Sequence, residues 1–300
     1  MSRLKYFILI IVFFAFSCEK EIDVQLEDSK PKLVVEGVIE NGEYAYVSLS
    51  KSAPYFTPVD STTFQNMFIT EALVIVSDGI ESDTLTFDTV PLFPPLRFQG
   101  HKLKGQLNTS YTLRIEYEGE VYTADTKILD AIPIDSVRYQ YEYNSDSLGY
   151  IWFYANDPVN QNNYYRVFTM DVDIDFSKEI PVWVHPAGSV TDDSYFNGKL
   201  VESQMYRGRN PMLSEAYYEA HPDDWWAFKM GDKVLVKLTQ IDYESFIFWR
   251  TMEQVLMTGD NPFAAPTTVQ TNISNNALGS WCGYASTVQY IEITEDIIIP

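Results

Sequence analysis

Residues 111 to 126 read YTLRIEYEGEVYTADT, and the apolar side chains fall on every second position. Tyr111, Leu113, Ile115 and Tyr117 alternate with Thr112, Arg114 and Glu116. A period of two puts one set on a buried face and the other in water, which fits a strand and not a helix. Glu118-Gly119 then supplies a turn, and an extended pattern resumes from Val121 to Thr126. The same grammar recurs upstream. Leu33 to Ile39 and Tyr44 to Ser50 flank Asn41-Gly42, a dipeptide suited to the positive φ angles of a tight hairpin turn, and Ala72 to Val76 ends at Asp78-Gly79. Short strands punctuated by turns predict an antiparallel, immunoglobulin-like sandwich over residues 32–130.

The stretch ILDAIPIDS, Ile128 to Ser136, reads as a linker, because Pro133 cannot sit in a central strand. Beyond it, Val137, Tyr139, Tyr141 and Tyr143 alternate with Arg138, Gln140 and Glu142. Further strands are expected at Tyr150 to Ala155, Tyr164 to Phe176, Lys233 to Ile241 and Val288 to Ile293. The expected fold is therefore mainly β, two sandwich-like domains with the second spanning residues 131–300. One helix is expected over 243–257, capped by Asp242. Its Phe246, Trp249, Met252, Val255 and Leu256 recur at helical spacing and make one apolar stripe. Residues 177–232, with Gly, Pro, Asn and paired Trp, read as a long irregular insertion, a kind of segment that is usually functional or mobile.

The first residues carry a different message. Arg3 and Lys5 precede an uncharged run from Tyr6 to Phe16. A basic start and an apolar stretch of about ten residues make a secretory signal, too short for the roughly twenty residues of a spanning helix. Ala15-Phe16-Ser17 before Cys18 resembles a lipobox, so residues 1–17 are read as a signal peptide and Cys18 as an acylated amino terminus. Two or three acyl chains anchor a protein stably where one does not. Glu19, Lys20 and Glu21 open a tether over 18–31 and resemble an acidic export signal for display on the outer face of the outer membrane. The alternative is a plain solvated tether.

Composition excludes some partners. The 21 basic residues less Arg3 and Lys5 leave 19 against 42 acidic ones, a formal charge of −23 on the mature chain. Such a surface repels phosphate backbones, so no nucleic-acid partner is expected. With Cys18 acylated, Cys282 has no intramolecular partner, and its default is a small buried residue. Histidines occur only at 101, 185 and 221, each read as a surface or loop residue, with no HExxH pair or clustered ligand set, so no metal or cofactor is expected. Asp171, Asp173 and Asp175 have the spacing of the first calcium-loop ligands. Phe176 and Val182 stand where that loop needs a Gly and a bidentate acid, so strand periodicity explains the run better. No GxSxG elbow is present, and an enzyme is not expected. Paired carboxylates for glycoside hydrolysis are a spatial matter that sequence leaves open. The most ligand-like material is aromatic: Trp183, Tyr206, Tyr217, Tyr218, Trp225 and Trp226 could stack sugar rings, grip a peptide, or simply close a loop over the core.

KPKLVVEGVIENGEYAYVSLSKSAPYF, soon after the lipobox cysteine, resembles the opening of domain-of-unknown-function family 4249. NDPVNQNNYYRVF, DDSYFNGK and TNISNNALGSWCGYAS follow in the family's order. The last motif departs near Asn276, Ala277 and Trp281, where an acidic residue or Gly and a Phe are expected. The resemblance implies an outer-membrane lipoprotein of the Bacteroidota lineage, often encoded beside a TonB-dependent, SusC-like receptor, with no established activity or functional residues. The expectation is a non-enzymatic accessory that docks on such a receptor and captures its substrate, a glycan or peptide. The alternative is a structural, adhesive or envelope-assembly lipoprotein, with a hydrolase third.

Overall fold

The structure is a computed structural model, and it describes residues 30–53, 66–90, 92–159, 161–172, 181–259, 267–294 and 298–299. Cys18, the Glu19–Glu21 signal, Asp173 and Asp175 lie outside the described residues. From Lys32 to Pro300 the chain forms one compact unit.

The fold is mainly β, as the alternation predicts. In the first half, β1 (Leu33–Glu40), β2 (Tyr44–Lys51), β3 (Leu73–Ser77), β4 (Ser82–Thr89), β5 (Leu96–Lys104), β6 (Thr109–Tyr117) and β7 (Glu120–Ile128) follow one another. Then come β8 (Ser136–Tyr141), β9 (Leu148–Asn156), β10 (Tyr164–Asp171), β11 (Val190–Asp192), β12 (Leu200–Met205), α1 (Glu215–Ala220) and β13 (Phe228–Lys229). The chain closes with β14 (Lys233–Ile241), α2 (Tyr243–Thr258), β15 (Leu278–Glu292) and β16 (Ile298–Ile299). The turn between β6 and β7 holds Glu118 at φ +51° and Gly119 at φ +83°, the left-handed pair that a two-residue hairpin needs.

Among the described residues an eleven-stranded sheet runs β11-β10-β14-β15-β1-β2-β5-β4-β3-β6-β7, and a five-stranded one runs β12-β9-β8-β16 with β13 on β9. The long sheet curls back, bringing β7 over β15: Gly283 N–H donates to Thr126 Oγ1 at 2.7 Å, and the Trp281 indole donates to the Tyr111 carbonyl at 3.1 Å. One core forms inside this curl from Val35, Val47, Leu113 and Trp281. A second lies between the long sheet and the five-stranded one, around Phe153, Val167, Phe228 and Val236.

Two cores thus sit on either side of the expected linker, but one sheet serves both. The reason is β15. Its residues 278–284 pair in parallel with β1, and residues 285–292 pair antiparallel with β14. Gly279 makes the first pairing possible: at φ +97°, a Cβ there would lie 1.8 Å from the Val35 carbonyl oxygen. Gly37 clears space opposite, where a Cβ would stand 2.7 Å from Trp281 Cε3.

Two expectations need correction. The region 177–232 is not irregular throughout, because within residues 181–232 β11 extends the edge at β10 and β12 pairs with β9 from Leu200↔Asn156 to Met205↔Ile151. Open sheet edges recruit such short strands. The helix forms as expected and Asp242 caps it, accepting from Ser245 N–H at 2.9 Å, but its stripe differs. Phe246 is buried while Leu256 is 66% exposed, and Glu253 is buried in place of an apolar residue. The helix lies on a polar face of the sheet, and that face sets which side chains are covered.

Candidate functional site

Alternate positions of β1, β10, β14 and β15 point away from the two cores. They bring Glu36, Glu40, Arg166, Lys237 and Tyr284 to one face, with Val38, Phe168, Ile241 and Cys282 between them. Covering this face are α2, through Phe246, Trp249 and Glu253, and residues 182–189.

Burying charge is costly unless each group is paired. Here pairing is extensive. Lys237 Nζ, in a side chain 4% exposed, donates to Glu40 Oε2 at 3.1 Å and Oε1 at 3.3 Å. The ammonium also lies 4.2 Å from the Trp183 ring centroid and 5.0 Å from that of Phe168, both within cation–π range. Burial draws its pKa below the ordinary lysine value, and Glu40 acts against that. Arg166 donates to the Tyr284 hydroxyl at 2.8 Å, and its guanidinium carbon lies 3.4 Å from the Trp249 ring centroid and 4.7 Å from that of Phe168. Glu253 accepts a short bond from the Ser189 hydroxyl; burial raises its carboxyl, and Ser189 and the Arg166 charge pull it down.

Glu36 differs from the others in remaining open to solvent. Neighbouring chain crowds it all the same and raises its carboxyl, an effect the Arg166 charge offsets in part. Tyr46 of β2 lies on the same face, its phenol raised well above the ordinary value by burial and then by the Glu36 charge, with Arg97 stacked 4.8 Å from its ring centroid. His185, read from sequence as a surface or loop residue, is in a loop but half-buried among these groups. Burial, then the Arg166 charge, push its pKa down to about 4, so the imidazole is neutral at pH 7. The Cys282 thiol is fully buried and raised by that burial, which keeps it protonated and unreactive.

The aromatic residues singled out in the sequence divide into three places. Trp183 belongs to the charged face. Tyr206, Trp225 and Trp226 come together: Arg207 N–H donates to the Trp226 carbonyl at 3.2 Å and Gly208 N–H to that of Trp225 at 3.1 Å. Tyr150 of β9 completes this group, 5.1 Å from Tyr206 and 5.9 Å from Trp226 between ring centroids. Tyr206 is 43% and Trp225 50% exposed, so the group forms an aromatic ridge at the surface. Tyr217 and Tyr218 sit beside it on α1. Tyr217 stacks on His221 at 4.4 Å and donates to Asp224 at 2.7 Å, while Tyr218 is buried with its hydroxyl accepting from Asn210 N–H at 2.7 Å. The Tyr217 phenol thus braces the loop that carries Trp225 and Trp226, and the Tyr218 phenol braces the 210 loop.

Among the described residues no group of three or more His, Cys, Asp or Glu is placed to hold a metal ion. Asp171, the one calcium-spaced aspartate described, pairs with Arg207 at 3.4 Å.

A family model described as "Domain of unknown function (DUF4249)" matches residues 19–289. The chain belongs to this family. No curated protein matches it. In this DUF4249 chain the motifs first noticed in sequence are largely scaffolding. Asp157 accepts from Asn163 Nδ2 at 3.1 Å, from Gly198 N–H at 2.8 Å, and from the Tyr165 hydroxyl. Asn163 accepts in turn from Gln240 at 2.6 Å, and its backbone N–H reaches Asp193 at 3.0 Å. Asn272 clasps the Trp281 backbone in both directions, at 2.7 and 2.9 Å. Where the DUF4249 pattern leads one to expect an acidic residue or Gly, Asn276 adopts φ +58°, a left-handed conformation that asparagine tolerates better than most. The charged face also draws on these motifs: Glu36, Glu40 and Tyr46 come from the first, Arg166 and Phe168 from the second, and Cys282 and Tyr284 from the last.

Proposed function

We propose that the protein is a lipid-anchored, non-enzymatic subunit that captures substrate for a TonB-dependent outer-membrane transporter. The observation that carries this reading is the ridge of Tyr206 and Trp225, backed by Tyr150 and Trp226, which exposes rigid aromatic surface on an otherwise acidic body. Aromatic side chains anchor interfaces at low entropic cost, and their faces also stack on sugar rings. The leader ending at Cys18 supports an anchored protein, and Glu19–Glu21 supports a place on the outer leaflet. No helix among the described residues is long and apolar enough to cross a membrane.

The test is a pull-down of the lipidated, tagged protein from gently solubilised membranes, with the stoichiometry of what is bound. A large β-barrel receptor at about one to one is expected. Recovery of the protein alone, or with other lipoproteins only, would turn the reading towards an envelope-assembly role. Two further results follow from the anchor. Cys18→Ala should move the protein to the soluble fraction, and external protease should cleave the wild type on intact cells.

A further inference from the structure

Protein interiors are close-packed, with few voids larger than a water molecule. The second core departs from this at one end. Between the long sheet and the five-stranded sheet lies a cavity of about 490 Å³, within the range of small-molecule sites. It opens where β11 and β12, the outermost strands of their sheets, face one another. Its floor is apolar, made by Ile132, Phe153, Val167 and Leu238, and Tyr165 and Phe196 stack beside it at 6.2 Å between centroids.

The rim is fixed, so the cavity does not depend on a loop finding its place. Asp157 and Asn163, with Asp193 and Gly198, tie the 193–199 turn to β10 and β14, and every polar contact of Asp157 named above is within this network. A buried network whose members are almost all paired, Gln240 Oε1 being the exception, is stiff. The wall also has a sign. Asp157 lines it, whereas Glu202 of β12 turns its carboxylate to the outer face, where the Tyr154 hydroxyl donates to it at 2.9 Å; among the described residues no Lys, Arg or His lines the cavity. An anion entering would lose water and meet apolar side chains, hydroxyls and the Asp157 carboxylate, with no cation among the described lining residues to receive it.

We infer that this cavity is a binding site for an uncharged, predominantly apolar small molecule, taken up between the two sheets. The inference goes beyond substrate capture for a transporter and does not depend on it, since binding here requires no barrel. The test uses the full chain carrying Cys18→Ala, purified without detergent. Two fluorescent probes share one ring system: N-phenyl-1-naphthylamine is neutral, and 8-anilino-1-naphthalenesulfonate is anionic. The neutral probe should bind saturably at one site, and the sulfonate at least about tenfold more weakly. Ala155, 2% exposed in the cavity wall, is the position to fill. Ala155→Phe should reduce binding of the neutral probe by about tenfold or more. If that variant fails to fold, judged by its far-ultraviolet spectrum and melting, Val201→Trp, at the half-buried inward position of β12 opposite Ala155, serves instead. Absence of saturable binding, equal affinity for the sulfonate, or undiminished binding by a folded filled variant would each overturn the inference. The last result would place the probe elsewhere, on the aromatic ridge for instance.

Discussion

The two faces of β15 meet burial in opposite ways. On one, Trp281 and Ala285 close an apolar core, and the only polar atom of the indole is satisfied by the Tyr111 carbonyl. On the other, Cys282 and Tyr284 lie against Arg166, while Lys237 and Glu40 pair close by. Both faces are sealed, with Trp281 at 0% and Tyr284 at 4% exposure. The first is held by apolar area, which needs no particular partner. The second is held by specific pairs, each of which becomes a liability when its partner is removed. A sheet can therefore carry chemistry in its middle without weakening, provided one face is left to the core.

The largest effect should come from the apolar face. Trp281→Ala removes a fully buried indole between Gly37 and the β6 backbone, and should cost about 3–5 kcal/mol in denaturant unfolding. A loss below about 1 kcal/mol would mean that this face is not a core at all. The charged face should break next. Glu40→Gln strands the Lys237 ammonium in its buried site. Removing one partner of a buried pair costs about 3–5 kcal/mol, and because Glu40 is itself 22% exposed about 2–3 kcal/mol is expected. The double variant Glu40→Gln with Lys237→Met should recover most of that loss, since an apolar side chain no longer needs an anion. No recovery would place the cost in Glu40 packing and not in the pair.

This contrast also explains what could be read from the sequence. Strands whose one face is wet announce themselves: Lys233–Ile241 was legible to the residue, and Thr109–Tyr117 and Glu120–Ile128 within two. The late strand did not. Only Val288 to Ile293 looked extended, because LGSWCGYAST carries two glycines and several small residues and resembles a loop. Residues 280–286 are buried on both faces, so no alternation survives there, and the parallel pairing that makes them a strand lies some 240 positions away in the chain. β4 and β5 were missed for a related reason. SDTLTFDT and LRFQGHKLK are polar runs held by cross-strand pairing and by Asp83, which accepts from the backbone of His101, Lys102 and Leu103. The charged face was hidden differently. Glu36, Glu40, Arg166 and Lys237 occupy alternate strand positions, which normally mean solvent. Nothing local says that a helix will cover this face around Arg166 and leave Glu36 open, although Glu253 at the centre of an apolar helix stripe is a signal of it. The aromatic ridge was half legible: Trp225, Trp226 and Tyr206 stood out, whereas Tyr150 belonged to a strand and was read only as such.

The charged face should also make stability depend on pH, which the apolar face cannot. His185 has its folded pKa lowered to about 4, by burial and then by Arg166, against 6.5 when unfolded. The unfolded chain then binds more protons, so this contribution is fully present above pH 6.5 and is lost as pH falls towards 4. For a half-buried ring about 1–2 kcal/mol is expected over that interval. Glu36 and Glu253 act in the opposite sense, because their raised folded pKa values let the folded state take up protons first. The clean readout is therefore a difference: unfolding free energy of the wild type minus that of His185→Phe should fall as pH drops from 6.5 to 4. A difference that stays constant would show that His185 titrates normally and lies outside the covered face.

Trp225 belongs to neither face and sharpens the comparison from outside it. It is half exposed, and its link to the fold is a main-chain one, the Gly208 N–H bond to its carbonyl at 3.1 Å. Trp225→Ala leaves that bond in place and removes a ring only half of which is packed, so stability should fall by no more than about 1 kcal/mol. The same substitution is thus expected to be ruinous at residue 281 and mild at residue 225. That mildness is what makes the variant useful. If the ridge is the capture surface, Trp225→Ala should lower recovery of the barrel or uptake of its substrate while melting close to the wild type. If it melts as Trp281→Ala does, the ridge is part of a core, and the capture reading loses the surface on which it rests.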